Sequence, residues 1–241
     1  MWFTTSWDDG HPLDLRVAEL LAKYGIRGTF YVPRRNIEGR SVLSATQLRA
    51  LAGAFEIGGH TIDHVRLNAV SVDESRRQVA ASKVALEDEL GRPVAGFCYP
   101  GGVHTAAIRE IVKAVGYRYA RTIENFCVER PTDPFRLSTT LQLFPHRRTT
   151  YAKNLARGGN WRARARGFGI AVASPSFDRA LDRLLDEVAR RAGVFHLWGH
   201  SWELEEHGLW NVLDRFLERV AARVTAPRRV ENAALFGDAS G

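Results

Sequence analysis

The chain has 241 residues, 45% of them hydrophobic, and a formal net charge of +7. That length and composition suit one soluble globular domain spanning 1–241 and exclude a disordered chain. No apolar run reaches the length of a membrane-spanning helix.

Met1-Trp2-Phe3 leads straight into strand-like sequence without a secretory leader, which sets a cytoplasmic expectation. Trp2 to Ser6 reads as a strand ending in Asp8-Asp9-Gly10. Leu13 to Tyr24 reads as a helix, with Val17, Leu20, Leu21 and Tyr24 on one face and Gly25 as its stop. Arg27 to Val32 is a strand. Ser44 opens a helix with a capping box to Gln47, and Phe55 to Gly58 is a short strand running into Gly59-His60. Ser71 and Glu74 form a second capping box, opening a helix that continues to Leu90 and stops at Gly91. Val94 to Tyr99 is a strand, Ala106 to Val115 a helix, Tyr117 to Thr122 a strand, and Arg136 to Leu143 another. Tyr151 to Ser174 has no decisive period. Ser176 to Ala192 is a helix, Val194 to Trp198 a strand, and Leu209 to Val224 the closing helix.

Strand then helix, repeated about seven times, implies a mainly parallel sheet, with a closed barrel as the leading architecture. Such barrels place their chemistry where strands end, so the residues just after each strand are the candidates. Asp8 and Asp9 are adjacent carboxylates, which point in different directions in an extended segment and so serve different tasks; Asp-Asp-Gly is also an ordinary turn sequence. His60 and His64 lie four residues apart, on one face if that turn is helical, and imidazole is a common ligand for zinc and its neighbours. Tyr99-Pro100-Gly101-Gly102 makes a tight turn with exposed N–H groups, suited to an oxyanion or to a turn alone. In the last strand His196 reads as a buried, hydrogen-bonded histidine and His200 as a titratable one at the barrel mouth. Trp198 and Trp202 are either an aromatic wall for a sugar face or a cover for the rim.

These motifs, in this order, resemble those of the polysaccharide deacetylases, the NodB-homology group of carbohydrate esterases. The resemblance runs from about Trp2 to Glu203. It implies a distorted (β/α)7-8 TIM-like barrel with one divalent metal, commonly zinc. It implies Asp8 as general base, Asp9, His60 and His64 as metal ligands, the Tyr99 N–H at the oxyanion, and His200 as general acid. The reaction implied is hydrolysis of an N-acetyl group on an amino sugar, releasing acetate. Two departures stand out. Many members carry an arginine that pairs with the base, where this chain has Cys98; Arg121, at the end of the next strand, is the expected substitute. The family's fourth motif has no clear counterpart between Thr122 and Phe135.

The two cysteines, Cys98 and Cys127, read as reduced thiols. From Arg147 to Arg166 there are seven basic residues and no acidic one, equal to the whole net excess. That stretch suits a phosphate, an acidic glycan or an anionic membrane surface, or it is a solvated helix face. With only Tyr151 and Trp161 as stacking residues and no nucleic-acid motif, it argues against nucleic acid. The expected substrate is a polymeric, lipid-linked or nucleotide-linked acetylated amino sugar. The rival readings are an amidase of small ureides or cyclic amides on the same fold, and a carbohydrate-binding protein without activity.

Overall fold

The computed structural model describes residues 1–157 and 159–237; the side chain of Arg157, in the basic stretch, lies outside the described set. Seven strands form one sheet: β1 Trp2–Trp7, β2 Thr29–Val32, β3 Glu56–Gly59, β4 Gly96–Cys98, β5 Tyr119–Arg121, β6 Leu141–Gln142 and β7 Val194–Gly199. Their order is β5-β4-β3-β2-β1-β7-β6, and every pairing is parallel. The two sheet edges meet through one run of chain. Leu137 bridges Arg121 of β5, and Leu141 and Gln142 pair with Leu197 and Trp198 of β7. The result is the distorted α/β barrel that the alternation of strands and helices predicts.

The helices are α1 Asp14–Lys23, α2 Ala45–Ala52, α3 Val72–Leu90, α4 Ala106–Ala114, α5 Arg148–Arg157, α6 Trp161–Ala173, α7 Phe177–Arg190, α8 Ser201–Glu206 and α9 Trp210–Arg223. None among the described residues is long and apolar enough to cross a membrane. α7 and α9 turn apolar stripes inward at helical spacing, Leu181, Leu184, Leu185 and Val188 in the first and Leu213, Phe216, Leu217 and Val220 in the second. The outward faces of the strands complete this layer: Phe3 and Phe195 stack at 5.9 Å and both meet Phe216 of α9.

The inward faces are unusually polar. Thr4 and Ser6 of β1, Thr29 of β2, Arg121 of β5 and His196 of β7 are all buried, and Glu56 of β3 is half-buried. Each has a partner within the protein: Thr4 with Asn232, Ser6 with His196, Thr29 with Glu56 and Arg121 with Asp8. His196 Nε2 meets the Ser6 hydroxyl at 2.8 Å and its Nδ1 meets the Ser138 carbonyl at 3.1 Å. Burial, with the Arg121 charge nearby, holds this imidazole neutral, its pKa down at about 3. Glycines make the room: a Cβ on Gly58 would fall 2.5 Å from the Tyr31 ring, and one on Gly96 2.3 Å from the Tyr119 hydroxyl.

Three expectations change. The strand expected over Arg136–Leu143 is only the two residues of β6, because Pro134–Arg136 is a 3-10 turn and the run serves β5 at one end and β7 at the other. The undecided Tyr151–Ser174 stretch is helical, as α5 and α6. Its signal is blurred because Gly167 packs on backbone, where a Cβ would stand 2.3 Å from the Phe126 carbonyl oxygen. The capping box at Ser44 and Gln47 is complete, whereas at Ser71 only the hydroxyl caps; the Glu74 carboxylate turns to Arg77 and Gln78 instead.

Candidate functional site

At the C-terminal ends of β1, β3, β5 and β7 a cleft of about 290 Å³ gathers the candidate residues. Asp8, Asp9, His60, His64, Tyr99, Pro100, Trp198, Trp202 and His200 all line it. Arg121 lies beneath, fully buried against Asp8.

The β1 ladder continues one residue past the strand, as the Asp8 N–H donates to the Gly199 carbonyl at 3.0 Å. The chain then bends sharply: Asp9 has φ 75° and Gly10 φ 58°. The two carboxylates therefore diverge through a left-handed turn, not through the extended alternation expected. Left-handed backbone costs a non-glycine residue about 1–2 kcal/mol, so the strain at Asp9 must be held by its partners. Asp9 Oδ1 lies 3.0 Å from His64 Nε2 and 3.6 Å from His60 Nε2, and Oδ2 accepts from the Trp202 indole N–H at 3.0 Å.

The two histidines converge without a helix. Thr61 and His64 both have φ 59°, making a bend. The bend is held from outside: the Arg34 and Arg35 N–H groups donate to the Ile62 carbonyl, Asp63 pairs with Arg35 and Gln78, and the Thr61 hydroxyl accepts from the Val65 N–H. His60 Nδ1 is 2.8 Å from the Cys98 carbonyl, which leaves Nε2 as its free ligand atom. The ligand atoms of Asp9, His60 and His64 all lie within 4.8 Å of one another. One carboxylate oxygen and two imidazole nitrogens at these separations fit a single divalent ion with ligand distances of about 2.0–2.2 Å. Burial alone would raise the Asp9 carboxyl, but the hydrogen bonds from His60 and His64 and the His200 charge override it and hold the group far below the usual carboxylate range.

Asp8 takes a different set of partners. Its Oδ1 is ion-paired with the Arg121 guanidinium, and the Cys98 thiol points at its Oδ2 from 3.8 Å. The guanidinium also lies over the rings of Trp198 at 4.9 Å and Tyr31 at 5.3 Å. The arginine expected from position alone thus reaches the carboxylate, from β5 instead of β4. The Tyr99 N–H, expected to face an oxyanion, is directed at the Arg121 carbonyl at 3.3 Å.

His200 caps α8, so Glu203 sits one turn on and accepts from its Nδ1 at 2.8 Å. Burial opposes protonation, but Glu203, Asp9 and Asp8 outweigh it and push the imidazole up to about 9. His200 Nε2 faces the cleft, 4.0 Å from Asp9 Oδ2. The tryptophans are held, not loose covers. Trp198 donates to Asn125 Oδ1 at 2.7 Å, and Trp202 bonds Asp9 while Arg40 stacks on its ring at 3.3 Å.

The polysaccharide deacetylase family profile matches residues 3–120. Over that stretch, just under half of its length, the chain resembles the polysaccharide deacetylase family. YxkH of Bacillus subtilis strain 168, named as a polysaccharide deacetylase, is 24% identical over 136 residues, which make up 56% of this chain and 46% of YxkH. The match therefore spans less than half the length of that relative. The chitin deacetylase from Colletotrichum lindemuthianum superposes with a TM-score of 0.61 at 18% identity, covering 99% of this chain and 88% of that one. A family 4 carbohydrate esterase from Streptomyces lividans, in complex with acetate, gives 0.57 at 13% identity, over 92% of this chain and 88% of that one. These two show a shared fold.

Sequence reasoning missed several cleft residues. Glu203 had a signal, being three residues past a histidine at the start of a helix. Glu38, Arg66, Ile123 and Gln142 also line the cleft and carried none, because each arrives on a loop or strand end whose path the sequence does not fix. The stretch after Thr122 supplies Asn125, which braces Trp198 and accepts from the Thr139 hydroxyl at 2.7 Å.

Proposed function

We propose that this chain is a metal-dependent N-deacetylase of an acetylated amino sugar. One observation carries the reading: an Asp/His/His donor set, a separate buried carboxylate and a histidine biased to its protonated form meet in one cleft. A borderline divalent ion such as zinc suits one carboxylate and two imidazoles, and when bound it supplies Lewis acidity toward the acetamide and the attacking water.

The chain's own residues do the rest. Asp9, His60 and His64 hold the ion. Asp8, anchored through Oδ1 to Arg121, presents Oδ2 to take the proton of the attacking water. His200, oriented by Glu203, gives its Nε2 proton to the departing amine. Trp198, Trp202, Tyr99 and Pro100 wall the space for the sugar and its acetyl group. Acetate and a free amino sugar leave.

The test is acetate release by the zinc-loaded protein from N-acetylglucosamine oligomers and from lipid-linked and nucleotide-linked acetylated amino sugars, with and without a chelator. We expect release from one of these classes and loss on chelation. Asp8→Asn should lower kcat by about 10²–10⁴-fold while keeping its metal, whereas His60→Ala and His64→Ala should lose the metal. A metal-loaded protein that releases acetate from none of the three classes would refute the reading, as would an Asp8→Asn variant of undiminished activity.

A further inference from the structure

The basic stretch divides, in three dimensions, into structural and free cations. Arg164 is fully buried and knits the α5–α6 hairpin: its guanidinium donates to the carbonyls of Asn125, Asn154, Leu155 and Gly159. Arg166 is held by Glu187 of α7. Arg147, Arg148, Lys153 and Arg162 are exposed, and among the described residues none of them pairs with a carboxylate. Beside Arg162 stands Trp161, 60% exposed, with the guanidinium 5.3 Å from its ring. Four exposed cations without a carboxylate partner on one hairpin, with an exposed tryptophan beside one of them, are the side-chain chemistry of a membrane interface, where the indole sits at headgroup depth and the cations meet anionic lipid.

The hairpin also borders the cleft. Gln142, six residues before α5, lines it, and Asn154 of α5 lines the neighbouring groove, which shares Arg66, Gly101 and Ile123 with the cleft. We infer that the α5–α6 hairpin docks this chain on an anionic phospholipid bilayer, with the cleft beside the contact. Two features favour a bilayer over a soluble anion or a nucleic acid. The guanidinium with converging geometry, Arg164, spends its donors on backbone carbonyls. The second aromatic residue of the stretch, Tyr151, is buried and offers no face for base stacking. Docking is read without turnover, so it stands or falls apart from the deacetylase reading.

The experiment is sedimentation of the full chain with vesicles of phosphatidylcholine alone and of phosphatidylcholine mixed with phosphatidylglycerol. Binding is expected only to the mixed vesicles, weakening as salt rises. The variant R147E/R148E/K153E/R162E should lower partitioning by at least about a hundredfold, and Trp161→Ala by several-fold. A variant with the same net charge but reversals elsewhere, R76E/R179E/R183E/R228E, should retain binding well above the hairpin variant. Circular dichroism checks that each variant folds. Three results overturn the inference: no binding to the mixed vesicles, equal losses in both reversal variants, or a Trp161→Ala chain that binds vesicles as before while the wild type binds a soluble oligonucleotide or heparin more tightly.

Discussion

At the scale of single residues, the informative feature is the arginine that moved. The family resemblance places a cation on the strand that carries Cys98; the structure delivers one from β5, through Arg121, to the same carboxylate. The pair is buried on both sides, so stripping Asp8 of its cation is severe, because an uncompensated buried charge is far costlier than a missing surface pair. Arg121→Ala should lower kcat/KM by about a hundredfold or more at neutral pH, with part of the loss recovered as pH rises. The double variant Cys98→Arg/Arg121→Ala, which puts the cation back on β4, should recover part of the neutral-pH activity. A double variant as inactive as Arg121→Ala, with the same pH–rate profile, would show that the path of the arginine matters and not only its charge. The sequence made Asp8, Asp9, His60, His64 and His200 legible because they recur at strand ends with fixed spacing. It left Glu38, Arg66 and Gln142 unread, since their place at the cleft depends on loop paths that no local period encodes.

At the scale of elements, periodicity located the helices with strong apolar stripes and failed where packing on backbone replaced a stripe. α7 was plain from Leu181, Leu184, Leu185 and Val188. α6 was not, because it meets the barrel through Gly167 and a buried Arg164. The joint between these helices rests on charge: Glu187 of α7, itself buried, accepts from Arg166 of α6 and from Arg190 and Arg191. Those arginines pull its carboxyl from the usual value of 4.5 to about 2. A carboxyl depressed on folding stabilises the fold fully above its unfolded value, and that contribution fades as pH falls from about 4.5 toward 2. Because the arginines are partly exposed, solvent screens the pairing and the gain is modest. Glu187→Gln should therefore lower Tm by a few degrees at pH 7, and the gap from wild type should narrow when both are melted at acid pH. A gap that is constant across that range would assign Glu187 a packing role instead.

At the scale of the whole molecule, the barrel is stoppered at the end opposite the cleft. The chain returns after α9 and lays Val230 against β1, its N–H donating to the Phe3 carbonyl at 2.9 Å. Asn232 then enters the barrel base, where it is fully buried. It accepts from the Thr4 hydroxyl at 2.7 Å, donates to the Tyr31 hydroxyl at 2.9 Å, and sends its backbone N–H to the Thr29 hydroxyl at 3.0 Å. Around it, Tyr119 and Thr29 both donate to Glu56, whose carboxyl burial pushes upward. A polar network of this kind is stable only when every member is satisfied. Asn232→Ala removes the amide, leaving the Thr4 hydroxyl without its acceptor and the Tyr31 hydroxyl with only its bond to Tyr119, at about 2–4 kcal/mol. For a chain of this size that is a fall in Tm of about 5–15 °C. The cleft lies at the other end of the strands, so kcat/KM measured well below the melting transition should stay within about twofold of wild type. Should activity fall instead in step with stability at low temperature, the base and the cleft would be one cooperative unit rather than a stopper and a site held apart by the length of the strands.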